Sequence, residues 1–183
     1  WLTQCTGYKI EENTISSTLP NNAMGIYTDN SGANPNRIYK NALTNLKFGM
    51  VCERNNSGLQ LLCNSFSSNT QQIYIPSNGI APYQGEPFGV DAGNTFSPDC
   101  EPAEGGPQTY SEINNLGNDF FYYHRNQNLK KPDCINIRVA LRVSATENTC
   151  PSSFSGGGIP EETTNIAQIE SKQSEIAQTE ATI

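Results

Sequence analysis

Cys134-Ile135-Asn136-Ile137-Arg138-Val139-Ala140-Leu141-Arg142-Val143 is the cleanest alternation of apolar and polar residues in the chain. Side chains of a strand point to opposite faces with a period of two. Read as one strand, the stretch sends Ile135, Ile137, Val139, Leu141 and Val143 to a core. It sends Asn136, Arg138, Ala140 and Arg142 outward. A cysteine opens it and Cys150 follows, so a disulfide at each end is expected. Arg138 and Arg142 are then candidate interface groups for an acidic neighbour.

Working outward, the fold expected is mainly β, with α+β as a possibility. It is a single disulfide-stapled antiparallel β domain over residues 1–151, with long ordered Pro/Gly-rich loops. Leu46 to Glu53 alternates, Leu59 to Cys63 is a second apolar run, and Asn55-Asn56-Ser57-Gly58 lies between them. A two-residue turn at Ser57-Gly58 would make a hairpin with Cys52 opposite Cys63, within reach of a disulfide. Cys52–Cys63 is therefore the favoured pair among Cys5, Cys52, Cys63, Cys100, Cys134 and Cys150. Ile38 to Leu46 fits helical spacing slightly better than extended spacing, and Tyr110 to Asn118 could include a helical turn. Gln71 to Ile75 reads as a short strand. From Pro76 to Pro107 repeated prolines remove ladder donors and specify an ordered loop, pinned at Cys100.

Past the body, residues 152–159 form a glycine joint and residues 160–183 a helical or coiled-coil-like tail. Ile169, Ile176 and Ile183 recur every seven residues, with Ile166 on the adjoining heptad position. The tail holds five of the acids against Lys172, so its Glu170, Glu175 and Glu180 are the natural partners for Arg138 and Arg142.

Composition narrows the kind of work. Charged residues are 16% of the chain and the net charge is −7, which disfavours nucleic acid and polybasic membrane attachment. No apolar run is long enough for a membrane-spanning helix. Six cysteines without Cys-x-x-Cys spacing, beside one histidine, fit a disulfide framework in an oxidising compartment better than a zinc site. The location expected is extracellular or at the cell surface. Trp1-Leu2-Thr3-Gln4-Cys5 lacks a charged n-region and an apolar h-region, so a secreted chain would have residue 1 after a cleavage.

No catalytic set emerges. His124 has no G-x-S-x-G partner, and the acids Asp91, Asp99, Glu101, Glu104, Glu112 and Asp119 have no spacing that specifies glycoside hydrolysis. Asp29-Asn30-Ser31-Gly32 and Asp91-Ala92-Gly93-Asn94 read as turns rather than calcium loops. No enzyme, cofactor or metal is expected. Asn55-Asn56-Ser57 is a candidate glycosylation sequon. Phe120-Phe121-Tyr122-Tyr123 reads as a strand with one ring pair in the core and the other on a partner surface, or as a glycan platform.

The function expected is a non-enzymatic structural subunit of an extracellular assembly such as a fibre, pilus or tail-like appendage. Its body is held by disulfides and its tail contacts other protein subunits in a homo-oligomer or filament. The alternative is a secreted carbohydrate- or surface-binding module, adhesin- or lectin-like, using the Phe120–Tyr123 run and the 76–107 loop. Ala42-Leu43-Thr44-Asn45-Leu46-Lys47-Phe48-Gly49 and Ile135-Asn136-Ile137-Arg138-Val139-Ala140-Leu141-Arg142 resemble two late β segments of some type IV minor pilins and pseudopilins. That resemblance implies a globular β domain that primes or caps a filament. The N-terminal hydrophobic helix of that family has no counterpart here.

Overall fold

The computed structural model describes residues 1–19, 22–86, 88–97, 111–127, 129–136 and 138–153. The chain divides into two units, Trp1–Cys150 and Pro151–Ile183. The first is built from short strands, and every strand pair in it is parallel.

The strands fall on three faces. The first face is a five-stranded sheet of β1 (Leu2–Thr3), β4 (Met24–Asp29), β7 (Phe48–Glu53), β10 (Gln71–Ile75) and β12 (Ser111–Asn115). The second carries β2 (Lys9–Glu11), β5 (Asn36–Tyr39) and β8 (Leu59–Leu62), followed by β11 (Tyr83–Gln84), β13 (Phe120–His124) and β14 (Val139–Val143). The third is β3 (Thr14–Ser16), β6 (Ala42–Thr44) and β9 (Ser65–Ser67), extended by a bridge from Ser65 to Thr95. Each turn of chain thus visits the three faces in order, and the next turn stacks on it in parallel. This is a parallel β-helix.

The antiparallel fold expected from the sequence is therefore corrected. Asn55-Asn56-Ser57-Gly58 is not a hairpin tip. It is a corner that carries the chain from β7 on the first face to β8 on the second. Ile38 to Leu46 is not helical but forms β5 and β6, and Tyr110 to Asn118 contains the strand β12. The pilin-like segments fall on β6, the start of β7 and β14, in three separate sheets.

Asparagine makes the stack possible. Asn13, Asn41, Asn64 and Asn94 occupy one corner, 28, 23 and 30 residues apart. Asn41 donates from its main-chain N–H and its side-chain amide to Asn64 Oδ1 at 3.0 and 3.1 Å. Asn64 donates to Asn94 Oδ1 in the same way, at 2.8 and 3.1 Å. Asn94 closes the row by donating to Tyr122 Oη at 3.1 Å. A tight corner turns main-chain N–H groups away from the ladder, and buried polar groups must find partners. The stacked amides supply them. Each member follows a left-handed residue: Glu12, Lys40, Cys63 or Gly93. Only the last is glycine, so three of these corners lack the residue that ordinarily marks a positive φ.

The interior is a column of apolar side chains. Ile26, Met50, Ile73 and Ile113 come from the first face, Ile38, Leu61 and Tyr122 from the second, and Leu43, Phe66 and Phe96 from the third. No single turn of chain could bury these groups alone, so stability comes from stacking. Gly49 shows how tight the column is. A Cβ there would lie 2.6 Å from Gln72 O and 3.0 Å from the Phe66 ring.

The stretch Cys134–Val143 straddles a corner. Ile135 bridges to Ile113 on the first face, whereas Val139–Val143 pairs with β13 on the second. Between them the Val139 N–H donates to Asn136 O at 3.3 Å. Val139 is buried and Leu141 half-buried, while Val143 is 66% exposed. One alternating run thus serves two sheets, and Val143 leaves the core. Glu112 anchors its start by accepting the N–H groups of Asp133 and Cys134, and burial pushes that carboxyl upward from its usual range.

Beyond β14 the chain doubles back along the helix. Ser144 N–H donates to His124 O at 2.8 Å, and Asp91 N–H donates to Thr146 O at 3.1 Å. Asn148 N–H donates to Asp91 Oδ1 at 2.6 Å. The segment ends in a disulfide between Cys150 and Cys63. Cys63 therefore bonds to Cys150 rather than to Cys52, which correction follows from the parallel coil. Cys52 lies in the core on the first face, and Cys63 lies at the corner beyond the second. Cys52 is a buried free thiol, Cys5 an exposed one, and Cys134 is disulfide-bonded. Cys100, residues 154–159 of the glycine joint and the tail with Ile166, Ile169, Ile176 and Ile183 lie outside the described residues, as does part of the 76–107 loop.

Candidate functional site on the second face

The second face alternates as short strands should. Ile10, Ile38 and Leu61 turn inward, so their neighbours Lys9, Arg37 and Gln60 turn outward. These three stand in register across β2, β5 and β8, at the ~4.7–4.9 Å strand spacing of any sheet. They line an open trough of about 450 Å³ together with Gly7, Pro35 and Gly58. That volume falls in the range of small-ligand sites. Gly58 is required there, since a Cβ would lie 2.0 Å from Asn34 O.

The trough is rich in donors. Arg37 Nε donates to Glu11 Oε1 at 2.7 Å, and its guanidinium lies 4.8 Å from the Tyr39 ring centroid. It is held in place on both counts. Lys9 and Gln60 make no side-chain hydrogen bond or ion pair among the described residues.

Farther along the face, Gln84 bridges the step from β8 to β11. Its Oε1 accepts the Leu61 N–H at 2.7 Å, and its Nε2 donates to Leu59 O at 3.0 Å. The side chain stands in for the missing ladder. Beyond it the aromatic run divides by parity. Phe120 and Tyr122 are buried, while Phe121 and Tyr123 are half-buried on the outside. Phe121 stacks on Tyr83 at 5.6 Å and 13°, and Arg142 covers it at 5.1 Å. Tyr83, Phe121 and Arg142 thus cover one another, which stabilises the stack. Burial drives the Tyr122 hydroxyl far above its ordinary value.

The other sequence candidates are dispersed. Arg138 sits in the corner before β14, donating to Gly117 O at 3.1 Å and pairing with Asp119 at 3.4 Å. It is on a different element from Arg142. Asn55 is exposed at a corner, where its Oδ1 accepts the Ser57 N–H at 3.2 Å. His124 is buried, with Nδ1 3.0 Å from Arg125 O. Sequence reasoning missed the trough altogether, because Lys9, Arg37 and Gln60 become neighbours only through the coil.

The fold and the trough define a parallel β-helix with an open, donor-lined outer face. Residues 1–91 of the chain match the family model described as periplasmic copper-binding protein (NosD). Comparison with curated proteins found no match, and neither did comparison with solved structures. Copper selects thiolate, thioether and imidazole ligands. Among the described residues no group of three His, Cys, Asp or Glu converges. The free thiol of Cys52 is buried and pushed up to about 12 by that burial. The described residues do not fit a copper site. No helix among them is long and apolar enough to cross a membrane.

Proposed function

We propose that this β-helix is a non-enzymatic module acting outside the cytoplasm, and that its second face binds an extended saccharide. The observation that carries the reading is the register of Lys9, Arg37 and Gln60 along one open trough. A polyhydroxylated chain offers acceptors at regular intervals, and a helix that repeats a donor on successive coils meets them without a deep pocket. The disulfide and the match to a periplasmic family model support the location. On a broad glycan array the whole protein is expected to bind, and Gln60→Ala to weaken the hit about three- to tenfold. A blank array would sink the reading.

A second reading is the structural subunit of an extracellular assembly, with residues 160–183 contacting a neighbour. It is favoured by β14, which pairs only with β13 among the described strands and leaves Val143 exposed at the end of the stack. Open strand edges recruit further strands. Sedimentation of the chain with and without residues 160–183 tests it, and an unchanged monomer in both would remove it.

A further inference from the structure

Resting on the saccharide reading, we infer that the trough selects an anionic saccharide, one bearing carboxylate or sulfate groups, and that Lys9 is the residue that selects it. Among the described residues no acidic side chain lines the trough. Of the charges around it, Arg37 is met by Glu11, and Lys40 lies 3.9 Å from Glu12. Those pairs cancel, which leaves Lys9 as the uncompensated charge on this part of the face among the described residues. A solvated surface lysine is ordinarily unremarkable. This one stands in register with a guanidinium already fixed by Glu11 and Tyr39, and with the free amide of Gln60. An anionic group seated by Lys9 would meet the Arg37 Nη1 and Gln60 donors on the neighbouring coils. A neutral sugar uses the same donors but leaves the ammonium without a counter-charge. Charge-assisted hydrogen bonds are about twice as strong as neutral ones, and exposure reduces the gain.

The test uses the full chain and three probes of equal length: oligogalacturonate, its neutral methyl ester and a sulfated oligosaccharide. Affinities are measured by calorimetry at low salt and at about 0.5 M salt. At least one anionic probe is expected to bind about fivefold or more tightly than the ester at low salt, with the advantage shrinking at high salt. A gain for the carboxylate probe alone points to uronic acids, and a gain for the sulfated probe alone to sulfated sugars. Lys9→Gln should abolish the advantage, bringing the anionic probes down to the affinity of the ester, while Lys9→Arg should keep it. No advantage of either anionic probe over the ester, or an advantage that survives Lys9→Gln, would overturn the inference. If neutral sugars bind and anions gain nothing, the inference fails and the saccharide reading stands. A protein that binds no probe and gives a blank array loses both.

Discussion

Replacing Asn64 with alanine is expected to cost about 2–5 kcal/mol, a large part of the stability of an ordinary domain. Asn64 is fully buried in the middle of the asparagine row. Its Oδ1 accepts two bonds from Asn41, and its amide donates to Asn94 Oδ1 and to Ile38 O, the last at 2.9 Å. Alanine would leave the Asn41 N–H buried without an acceptor and cut the row between its second and fourth members. An orphaned buried donor costs its full desolvation, which exceeds the modest net worth of a hydrogen bond. Asn64→Asp should fare no better, because a carboxylate cannot donate to Ile38 O or Asn94 Oδ1. Asn13→Ala is the control. It stands at the end of the row, and its loss leaves Asn41 Oδ1 still accepting the residue 13 N–H at 3.0 Å. A loss of about 1 kcal/mol or less is expected there. Urea melts of the three variants check the ranking. Equal effects of Asn13→Ala and Asn64→Ala would mean that the row is not the element holding the coils together.

The second large effect belongs to the Cys63–Cys150 bond. It closes a loop of sequence separation 87, and restricting so long a segment of the unfolded chain is worth about 2–5 kcal/mol. The bond also fastens the returning segment, whose other attachments include hydrogen bonds to Gly89, Asp91, His124 and Arg125. Cys63→Ser and Cys150→Ser should each lose that stability, and the double variant should lose no more than either single one. The melting midpoints in urea report it. Additive losses from the two serines would show that the cysteines act separately.

Much of the local structure was readable in the residues. Gln71–Ile75 reads as a strand and is one, and the Phe120–Tyr123 run places alternate rings inside and out. What could not be read was which strand meets which. Asn13, Asn41, Asn64 and Asn94 recur at unequal intervals because the corners differ in length, so the row has no fixed period. The corners themselves are disguised by Glu12, Lys40 and Cys63, which adopt left-handed conformations without being glycine. The run Cys134–Val143 misled for a related reason. Its alternation continues across Asn136, where the chain changes face, so one period of two spans two sheets. The candidate site was the least legible part. Lys9, Arg37 and Gln60 have no common motif, and only parallel stacking makes them neighbours.

The trough exists only in the parallel coil, and the cysteines distinguish that coil from an antiparallel meander. In a hairpin, Cys52 and Cys63 face each other and bond. In the coil, Cys63 bonds to Cys150, while Cys52 is a buried core thiol whose pKa burial pushes up to about 12. The measurement is alkylation of the native protein followed by non-reducing peptide mapping. The coil predicts a Cys63–Cys150 linked peptide, alkylation of Cys5 under native conditions, and alkylation of Cys52 only after unfolding. A peptide linking Cys52 to Cys63 would contradict it.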